Sequence, residues 1–280
     1  MPEQDVVERT DVPLTAASLA DQLRACGMAV GQTVLAHVAM SKLGWVVGGA
    51  EAVILALIEA VGGSGTIVMV TYSTNNGEPS LWQHPPVPEE WWQTIRDHTP
   101  AYNPQTTPTR GMGVVPELFR TWPDAVRSAH PAFSLAALGA RAEYIVAEHS
   151  PDEMGERSPV GMGERSPVGK VYELDGHVLL LGIDHRASTS LHLAEARAGC
   201  PGMRKVRTGS AMLVDGRREW VTYVDWADGG KDFHTIGDAF DAAHDIPVHR
   251  VGAAEARFFQ QRPVVDFGVE WMRRHRDAQT

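Results

Sequence analysis

The first seventy residues alternate between helical and strand-like hydrophobic patterns. Residues 14–27 carry apolar side chains at helical spacing and end in glycine, whereas 33–38 form a short, mostly apolar run. A second helical pattern covers 50–62, and another strand-like run covers 67–72. This order of strand, helix and strand, joined by glycine-rich turns, is typical of a βαβ unit.

The rest of the chain continues the mixture of helices and strands. The same spacing rules, with Asp-Gly turns as hairpin signals, predict helices over 112–122, 140–149, 189–199 and 263–276, a strand over 133–139, and hairpins over 170–183 and 211–224. No linker rich in glycine or serine divides these elements. We therefore expect an α/β protein in which residues 1–280 form a single domain, with a central sheet flanked by helices.

Two segments depart from this regular pattern. Residues 73–110 are rich in proline and tryptophan and have little periodicity, which is typical of a long functional loop. Residues 154–161 (MGERSPVG) are identical to 162–169. Two copies of a polar unit do not make a repeat protein. The duplication therefore predicts a lengthened surface loop over 154–169, at a small entropic cost.

The net charge of the chain limits the kinds of molecule that it is expected to bind. The chain has 25 Lys and Arg against 35 Asp and Glu, a formal net charge of −10, and it has no basic block. This argues against a nucleic-acid or anionic membrane partner and suits a cationic ligand. Two cysteines, no secretion signal and no apolar run of about 18 residues predict a cytoplasmic protein.

Several familiar catalytic motifs are absent from the sequence. It contains no HExxH, GxSxG or GxxxxGK[ST] pattern, and the run GMGVVP at 111–116 lacks the third glycine of a dinucleotide fingerprint. We therefore expect no Rossmann cofactor site. The 12 histidines are scattered without the spacing of metal ligands, so we also expect no metal site.

The segment 177–198 carries the clearest candidate chemistry. A very apolar strand ends in DHRAST and a helix follows, so His185 lies where ligands bind in open α/β sheets. Ser188 or Thr189 would cap the helix and favour an anion at its N-terminus. Glu195 lies two turns into that helix and needs a partner if it is buried. The alternative is a His185 that only hydrogen-bonds a loop and a solvent-facing Glu195.

A second polar group lies between a predicted helix and a strand. Arg127, Ser128 and His130 follow one another closely, and arginine with serine and turn N–H groups can hold a phosphate. The alternative is an ordinary loop in which Arg127 pairs with Asp124.

Four strings of the sequence resemble motifs of the aminoglycoside 3-N-acetyltransferase family. HVAMSKLGWVVGG, GGSGTIVMVTYS, TPTRGMGVVPELFRTWPDAVRSAHPAFSLAALG and HVLLLGIDHRASTSLHLAE are each similar to a family signature, and the resemblance runs from about residue 15 to the C-terminus. Departures are Val38-Ala39 in place of a serine pair, Ser188 in place of asparagine, Asn103 where an acid is common, and the doubled MGERSPVG unit. The doubling leaves open which copy takes the family's Ser-Pro position.

The resemblance implies acetyl transfer from acetyl-CoA to the 3-amino group of a 2-deoxystreptamine aminoglycoside, which confers antibiotic resistance. His185 would act as the general base, with Glu195, or else Asp184, holding its second ring nitrogen. The turn around Ser188, Thr189 and Ser190 would supply oxyanion donors. No metal is needed, because the leaving thiolate is stable.

The partners implied are acetyl-CoA and an aminoglycoside, while the oligomeric state stays open. The expected acetyl-CoA contacts are His37, Ser41, Lys42, Arg127, Ser128, His130, Ser188 and Thr189. Segment 215–245, with eight acidic and three basic residues, and the loop 73–110 would hold the cationic substrate, through Tyr72, Glu78, Trp82, Glu89, Glu90, Tyr102, Asp225, Asp228 and Asp232. A hydrolase or amidase that uses the same histidine, and a non-catalytic binder of cationic drugs, are the alternatives.

Overall fold

The computed structural model describes residues 3–151 and 161–276. Its strands are β1 (Thr33–Val38), β2 (Thr66–Val70), β3 (Val126–Arg127), β4 (Leu135–Gly139), β5 (His177–Leu181), β6 (Arg204–Val214), β7 (Arg217–Ala227), β8 (His249–Val251) and β9 (Ala254–Gln260). Seven of them form a central sheet in the order β3-β4-β2-β1-β5-β9-β8, and β6 pairs with β7 in a separate sheet.

The central strand β1 shows why the sheet forms here. All six of its side chains are buried, and it pairs in parallel with both β2 and β5. A parallel strand covered on both faces needs a nearly continuous apolar sequence, which TVLAHV supplies. The outer pairs β2–β4, β3–β4, β5–β9 and β8–β9 are antiparallel, so the sheet is mixed.

Helices cover both faces of this sheet. They are α1 (Glu3–Glu8), α2 (Ala16–Ala25), α3 (Gly49–Val61), α4 (Trp92–His98), α5 (Val114–Phe119), α6 (Ala142–Val146), α7 (Pro167–Glu173), α8 (Ser190–Ala198), α9 (Phe233–Ala243) and α10 (Gln261–His275). The start of α2 is a capping box, in which Thr15 and Ser18 each accept a backbone hydrogen bond from the other.

The alternation of side chains along each strand creates two cores. In β1, Val34 and Ala36 join the apolar cluster beneath α2, α3 and α5, whereas Leu35 joins the cluster beneath α6 to α10. Successive side chains of a strand point to opposite faces. The predicted mixed α/β architecture, with a central sheet flanked by helices, is therefore confirmed.

The predicted hairpin over 211–224 is present and longer than expected. Strands β6 and β7 each have 11 residues and meet at Asp215-Gly216. Both turn residues have positive φ, 48° and 75°, as a tight two-residue hairpin turn requires. The hairpin also holds the long loop, because Tyr102 donates its backbone N–H to the Ala211 carbonyl over 2.8 Å.

The predicted strand over 170–176 is wrong. Ser166 caps a helix by accepting from the Gly169 N–H, and Pro167 occupies the first helical position. These are strong helix-start signals, and α7 runs on to Glu173. Asp175, with a φ of 54°, then turns the chain into β5, which pairs with β1 and β9 instead of forming a hairpin.

Other parts of the fold lay outside the predicted elements. The segment 73–110 is mostly irregular, as expected, but contains the seven-residue helix α4 and three short 3-10 turns. The helix α9 falls within the acidic segment, where only solvated or substrate-binding carboxylates were expected. Its apolar positions Phe233, Ile236 and Phe240 are buried.

The two MGERSPVG copies differ in their surroundings. The first copy lies outside the described residues except for its last residue, Gly161. In the second copy Met162, Ser166 and Val168 are fully buried, and Ser166 with Pro167 starts α7. The second copy therefore takes the capping position, and the prediction that 154–169 is a surface loop is wrong for 162–169.

Deleting one copy tests this arrangement. Removal of either copy yields the same sequence, which keeps the Ser166–Pro167 cap but places Glu153 where Gly161 now lies. Gly161 has a φ of +64°, and a Cβ there would lie 2.7 Å from the His130 ring. We expect the deletion to lower the free energy of unfolding by about 1–2 kcal/mol, measured by urea denaturation.

The matched control adds Glu153→Gly to the deletion and should restore most of that loss. The shorter loop can close, since the His149 ring already lies 2.8 Å from the Gly161 carbonyl. A deletion protein as stable as the full-length chain, or one that glycine does not improve, would contradict this account.

Within the described ranges, no helix is long and apolar enough to cross a membrane. Residues 3–151 and 161–276 also contain no cluster of three or more His, Cys, Asp or Glu side chains arranged to hold a metal ion.

Candidate active site

The candidate active site lies where β1, β2 and β5 end at one edge of the sheet. Ligand sites of α/β sheets lie at this edge. A cavity of about 240 Å³ opens there, and we call it the catalytic cavity. Its wall includes His37, Tyr72, Met112, Arg186, Ser188, Thr189, His192 and Phe233.

His192 and Glu195 form a hydrogen-bonded pair on α8. They lie three residues apart, so the helix places them on one face, and His192 Nδ1 lies 2.7 Å from Glu195 Oε2. A carboxylate can only accept, so Nδ1 carries the proton and Nε2 carries the lone pair. His192 lines the catalytic cavity, and its Nε2 is therefore a basic atom at the cavity wall.

Glu195 is fully buried but well supported. Its carboxylate accepts hydrogen bonds from the Gly230 backbone N–H (2.9 Å) and from Arg276 (2.8 Å), in addition to the His192 ring. Burial alone would raise the pKa of Glu195. The His192 hydrogen bond, with the contributions of Gly230 and Arg276, outweighs burial and holds that pKa below its usual value. Glu195 therefore stays ionised beside His192.

His185 occupies a different environment from the one predicted. It is 1% exposed, its Nε2 lies 2.8 Å from Asp241 Oδ1, and Arg257 holds the other oxygen of Asp241. The ring stacks on Phe259. It also packs closely against α9, because a Cβ added to Gly237 would lie 2.0 Å from the His185 ring. His185 is absent from the wall of the catalytic cavity.

The expected partners of His185 are therefore wrong. Glu195 bonds to His192 because both lie on α8, whereas His185 precedes that helix. Asp184 turns its carboxylate to the backbone N–H of Arg186, 2.9 Å away. Asp241, on α9, is the actual partner.

Three further polar groups of the catalytic cavity, those of His37, Tyr72 and Ser188, are neutral. His37 Nε2 lies 3.3 Å from Thr189 Oγ1, and burial, reinforced by the nearby His185, lowers the pKa of His37 to about 4. The hydroxyls of Tyr72 and Ser188 are buried and have no hydrogen-bond partner in the described part of the chain. Such a group costs about 1–3 kcal/mol if it stays unpaired, so these hydroxyls suit a polar ligand or water.

The predicted acetyl-CoA contacts fall into two groups. His37, Ser188 and Thr189 line the catalytic cavity, whereas Ser41 lines a groove of about 620 Å³ and Lys42 a cleft of about 710 Å³. All five therefore border a cavity large enough for part of a cosubstrate, and their roles in binding stay predictions.

The predicted phosphate contacts cannot be made by Arg127, Ser128 and His130. All three are buried. The Arg127 guanidinium donates hydrogen bonds to backbone carbonyls, including those of Thr71 and Thr107. The Ser128 hydroxyl donor and the His130 Nδ1 acceptor are likewise used inside the protein. The predicted phosphate site at these residues is therefore wrong, because their polar groups form hydrogen bonds inside the protein.

Tyr102 is also committed to the interior. It is 6% exposed, and its hydroxyl donates to the Ser128 carbonyl over 2.8 Å. It therefore anchors the long loop and has no free group for a substrate, contrary to the expectation.

Two predicted substrate contacts adjoin the catalytic cavity. Tyr72 lines it, and Asp225 is 7% exposed on β7. Burial first, and the Asp225 carboxylate second, raise the pKa of Tyr72 far above its usual value, so its hydroxyl stays neutral. Asp225 is therefore close enough to act electrostatically on the cavity wall.

The remaining predicted substrate contacts lie farther along the long loop. Glu78 and Trp82 line a separate cavity of about 310 Å³, where Glu78 pairs with Arg96 at 2.6 Å. Glu89 and Glu90 are exposed in the turn before α4. Their contact with a substrate stays a prediction.

Asp228 and Asp232 already have cationic partners. Asp228 lies 3.0 Å from Lys231 and 3.3 Å from Arg204, and Asp232 pairs with Arg276 at 2.5 Å. A cationic substrate would have to displace these side chains, and contacts of Asp228 and Asp232 with a substrate stay predictions.

A cluster of neutral histidines links the first copy of the repeat to the sheet. His149 Nε2 lies 2.8 Å from the Gly161 carbonyl, and its Nδ1 lies 2.8 Å from Ser128 Oγ. A carbonyl can only accept, so Nε2 is the donor and Nδ1 accepts the serine proton. Burial, only partly opposed by the Gly161 hydrogen bond, lowers the pKa of His149 to about 4.

This shift predicts a loss of stability in acid. The folded-state pKa lies below the unfolded value of about 6.5, so the unfolded chain binds more protons between pH 6.5 and 4. The contribution of His149 is complete above pH 6.5 and falls by about 1.4 kcal/mol for each pH unit below it. Urea denaturation at several pH values measures this slope.

The His149→Gln variant is the matched control, because glutamine offers a donor and an acceptor but does not titrate. Its stability should fall less steeply with acid than that of the wild type. Equal slopes for the two proteins would contradict the assignment.

His192 was not predicted to be the histidine of the cavity. The sequence pattern favoured His185, because that residue follows β5 directly. A signal was present, since His192 and Glu195 share a helical face at spacing i, i+3.

Comparison with known proteins supports this fold and shows the family to which the chain belongs. A model of the aminoglycoside 3-N-acetyltransferase family matches residues 35–273. The chain is 44% identical over 267 residues to the SPbeta prophage-derived aminoglycoside N(3')-acetyltransferase-like protein YokD of Bacillus subtilis (strain 168), covering 95% of each chain. It is 40% identical over 286 residues to aminoglycoside N(3)-acetyltransferase VII of Streptomyces paromomycinus, covering 97% of this chain and 96% of that protein.

Solved structures give the same result. The crystal structure of YokD from Bacillus subtilis superposes with a TM-score of 0.90 at 42% identity, covering 97% of this chain and 98% of that one. A binary complex of AAC-IIIb with CoASH superposes with a TM-score of 0.81 at 32% identity, covering 96% and 100%. Fold and matches together place the protein among the acyltransferases. The chain belongs to the aminoglycoside 3-N-acetyltransferase family.

Proposed function

We propose that the protein transfers the acetyl group of acetyl-CoA to the 3-amino group of a 2-deoxystreptamine aminoglycoside, and so confers resistance to the drug. Family membership supports the reaction. Because acetyl-CoA is a cytoplasmic metabolite, we place the enzyme in the cytoplasm.

The general base in this proposal is His192. The observation that carries it is the contrast between the two histidines. His192 lines the catalytic cavity and has its Nδ1 held by the ionised Glu195, whereas His185 has its Nε2 bound to Asp241 and is 1% exposed. A base must reach the proton that it removes, and of these two histidines His192 is the one that lines the catalytic cavity, which supports its role as the base.

The proton balance follows from this geometry. The amine nitrogen bonds to the thioester carbonyl carbon, the carbon–sulfur bond breaks, and the proton of the amine passes to His192 Nε2. Glu195 stabilises the imidazolium that forms, as the carboxylate does in a catalytic triad. His192 then returns the proton to the leaving thiolate.

The neutral hydroxyls of the catalytic cavity support binding and charge stabilisation. Ser188, whose buried hydroxyl has no partner in the described chain, is suited to donate to the developing oxyanion, and one such donor is worth about 3 kcal/mol. Asp225 would attract the ammonium groups of the substrate towards the cavity.

A thiol-release assay with and without drug tests the function. A transferase frees the CoA thiol only when an aminoglycoside is present, and mass spectrometry shows one added acetyl group, placed at the 3-amino position by NMR. Thiol release from acetyl-CoA and water alone would indicate a hydrolase. No release with any aminoglycoside, despite binding, would indicate a sequestering protein.

A further inference from the structure

The last residue of the described chain lies against the catalytic pair. Arg276 follows α10 directly, and its backbone N–H donates to the Met272 carbonyl over 2.9 Å, which continues the helical turn. Its side chain is 11% exposed, and one guanidinium nitrogen lies 2.8 Å from Glu195 Oε1. Arg276 is outside residues 35–273, the part of the chain that matches the family model. The family match therefore assigns it no role.

The two oxygens of the Glu195 carboxylate have separate partners. Oε2 accepts from the His192 ring over 2.7 Å. Oε1 accepts from the Gly230 N–H over 2.9 Å and from Arg276 over 2.8 Å. A buried carboxylate that is bonded at both oxygens cannot rotate without losing a hydrogen bond that no water replaces. Arg276 therefore helps to fix the orientation in which Oε2 faces the ring.

The opposite edge of the same guanidinium holds the start of α9. Two of its nitrogens donate to the two oxygens of Asp232, over 2.9 Å and 2.5 Å. Such a bidentate pair fixes direction as well as distance. Asp232 directly precedes Phe233, whose ring packs edge-on against the His192 ring with the centroids 4.7 Å apart. Arg276 thus holds two neighbours of the His192 ring, the carboxylate and the aromatic side chain.

The guanidinium also separates two negative charges. Glu195 and Asp232 both lie within hydrogen-bonding distance of it. Without it, burial and the neighbouring like charge would each favour protonation of a carboxylate. Two carboxylates against one guanidinium leave a formal charge of −1, which the imidazolium of His192 neutralises when the proton arrives. Arg276 therefore helps to keep Glu195 ionised for that step.

We propose that Arg276 is a positioning residue for acetyl transfer, which orients the Glu195 carboxylate and, through Asp232, keeps Phe233 against the His192 ring. This rests on the proposed role of His192 as the general base. Arg276 is absent from the wall of the catalytic cavity, so it acts through Glu195 and not on the reacting atoms. The end of α10 thereby becomes part of the active site, although Arg276 follows Glu195 by 81 residues.

Steady-state acetylation by two variants of Arg276 tests this role. Arg276→Gln removes the charge and cannot bond both carboxylates as the guanidinium does. We expect its kcat to fall about 10- to 100-fold, as for a misplaced catalytic group, while the KM for acetyl-CoA stays unchanged. Arg276→Lys keeps the charge but loses the planar fork, so its kcat should fall only about three- to tenfold. Urea denaturation of both variants verifies that they are folded in the assay.

A double-mutant cycle separates positioning from a purely structural role. In a Glu195→Gln background the charge through which Arg276 acts is already absent. Adding Arg276→Gln should therefore lower kcat by no more than about twofold, because residues that act as a unit are not additive. The matched control for charge is Arg274→Gln, an exposed residue two positions earlier that pairs with Glu270. Its kcat should equal that of the wild type.

Wild-type kcat in Arg276→Gln would overturn the proposal, and so would a full 10- to 100-fold loss repeated in the Glu195→Gln background. If Arg276→Gln does not fold, the same comparison is made with Arg276→Lys and its smaller expected loss. In either case acetylation by the wild type leaves the proposed function intact. A wild-type protein that acetylates no aminoglycoside would overturn the proposed function itself.

Discussion

Replacing His192 with alanine should lower kcat by about 10²–10⁴, the usual contribution of a general base. The fold should survive, because His192 is part of the cavity wall and its side chain is 16% exposed. Steady-state acetylation, followed by thiol release, measures the effect. The KM for acetyl-CoA should change little, since the base acts on the amine.

The matched control for this prediction is His185→Gln. Glutamine can still donate to Asp241, so kcat should stay within about tenfold of the wild type. The free energy of unfolding should fall by up to about 1.5–3 kcal/mol, as expected when a hydrogen bond to a charged group is weakened. A variant of His192 that retains more than a third of wild-type kcat would remove it from the mechanism.

Changing Glu195 to glutamine should damage both catalysis and stability. Glutamine keeps the shape of the side chain but loses the charge that faces Arg276 and the His192 ring. We expect kcat to fall at least about a hundredfold, because the imidazolium loses its partner. The free energy of unfolding should fall by about 3–5 kcal/mol, the usual cost of breaking a buried ion pair.

Glu164→Gln is the control for this change. Glu164 forms an exposed pair with Arg197 at 2.7 Å, so its loss should cost less than about 1 kcal/mol and leave kcat unchanged. If Glu195→Gln keeps kcat within threefold of the wild type, the His192–Glu195 pair is not the catalytic pair.

Hydrophobic spacing and turn residues predicted those helices, strands and turns whose formation depends on nearby residues in the sequence. The strand–helix–strand order of the first seventy residues became β1, α3 and β2, because a buried parallel strand and an amphipathic helix each need a distinctive sequence. The Asp215-Gly216 turn likewise identified the hairpin. The strand predicted at 170–176 failed because the cap at Ser166 and Pro167 outweighed its alternating pattern.

The candidate site could be located but not completed from sequence. The sequence points to the segment after β5, where His185 and His192 lie seven residues apart, and it favours His185. The packing of α9 distinguishes their environments, since it brings Asp241 to His185, 56 residues away. No local pattern contains that contact.

Charged residues were the least predictable part of the site. Arg127, Ser128 and His130 had the composition of a phosphate site, but the fold buries them against backbone carbonyls. The cleft of about 710 Å³ that Lys42 lines, in contrast, brings Lys42 close to Arg250, although the two lie about two hundred residues apart in the sequence. These cations come together only when β5 and β9 become neighbours.

Chemical rescue tests the central claim most directly. Imidazole is added to His192→Ala and, separately, to His185→Ala, and the acetylated aminoglycoside is quantified by mass spectrometry. If the His192 ring is the base, the rate of His192→Ala rises with the concentration of neutral imidazole, and that of His185→Ala does not. Rescue of His185→Ala, with none for His192→Ala, would contradict the account.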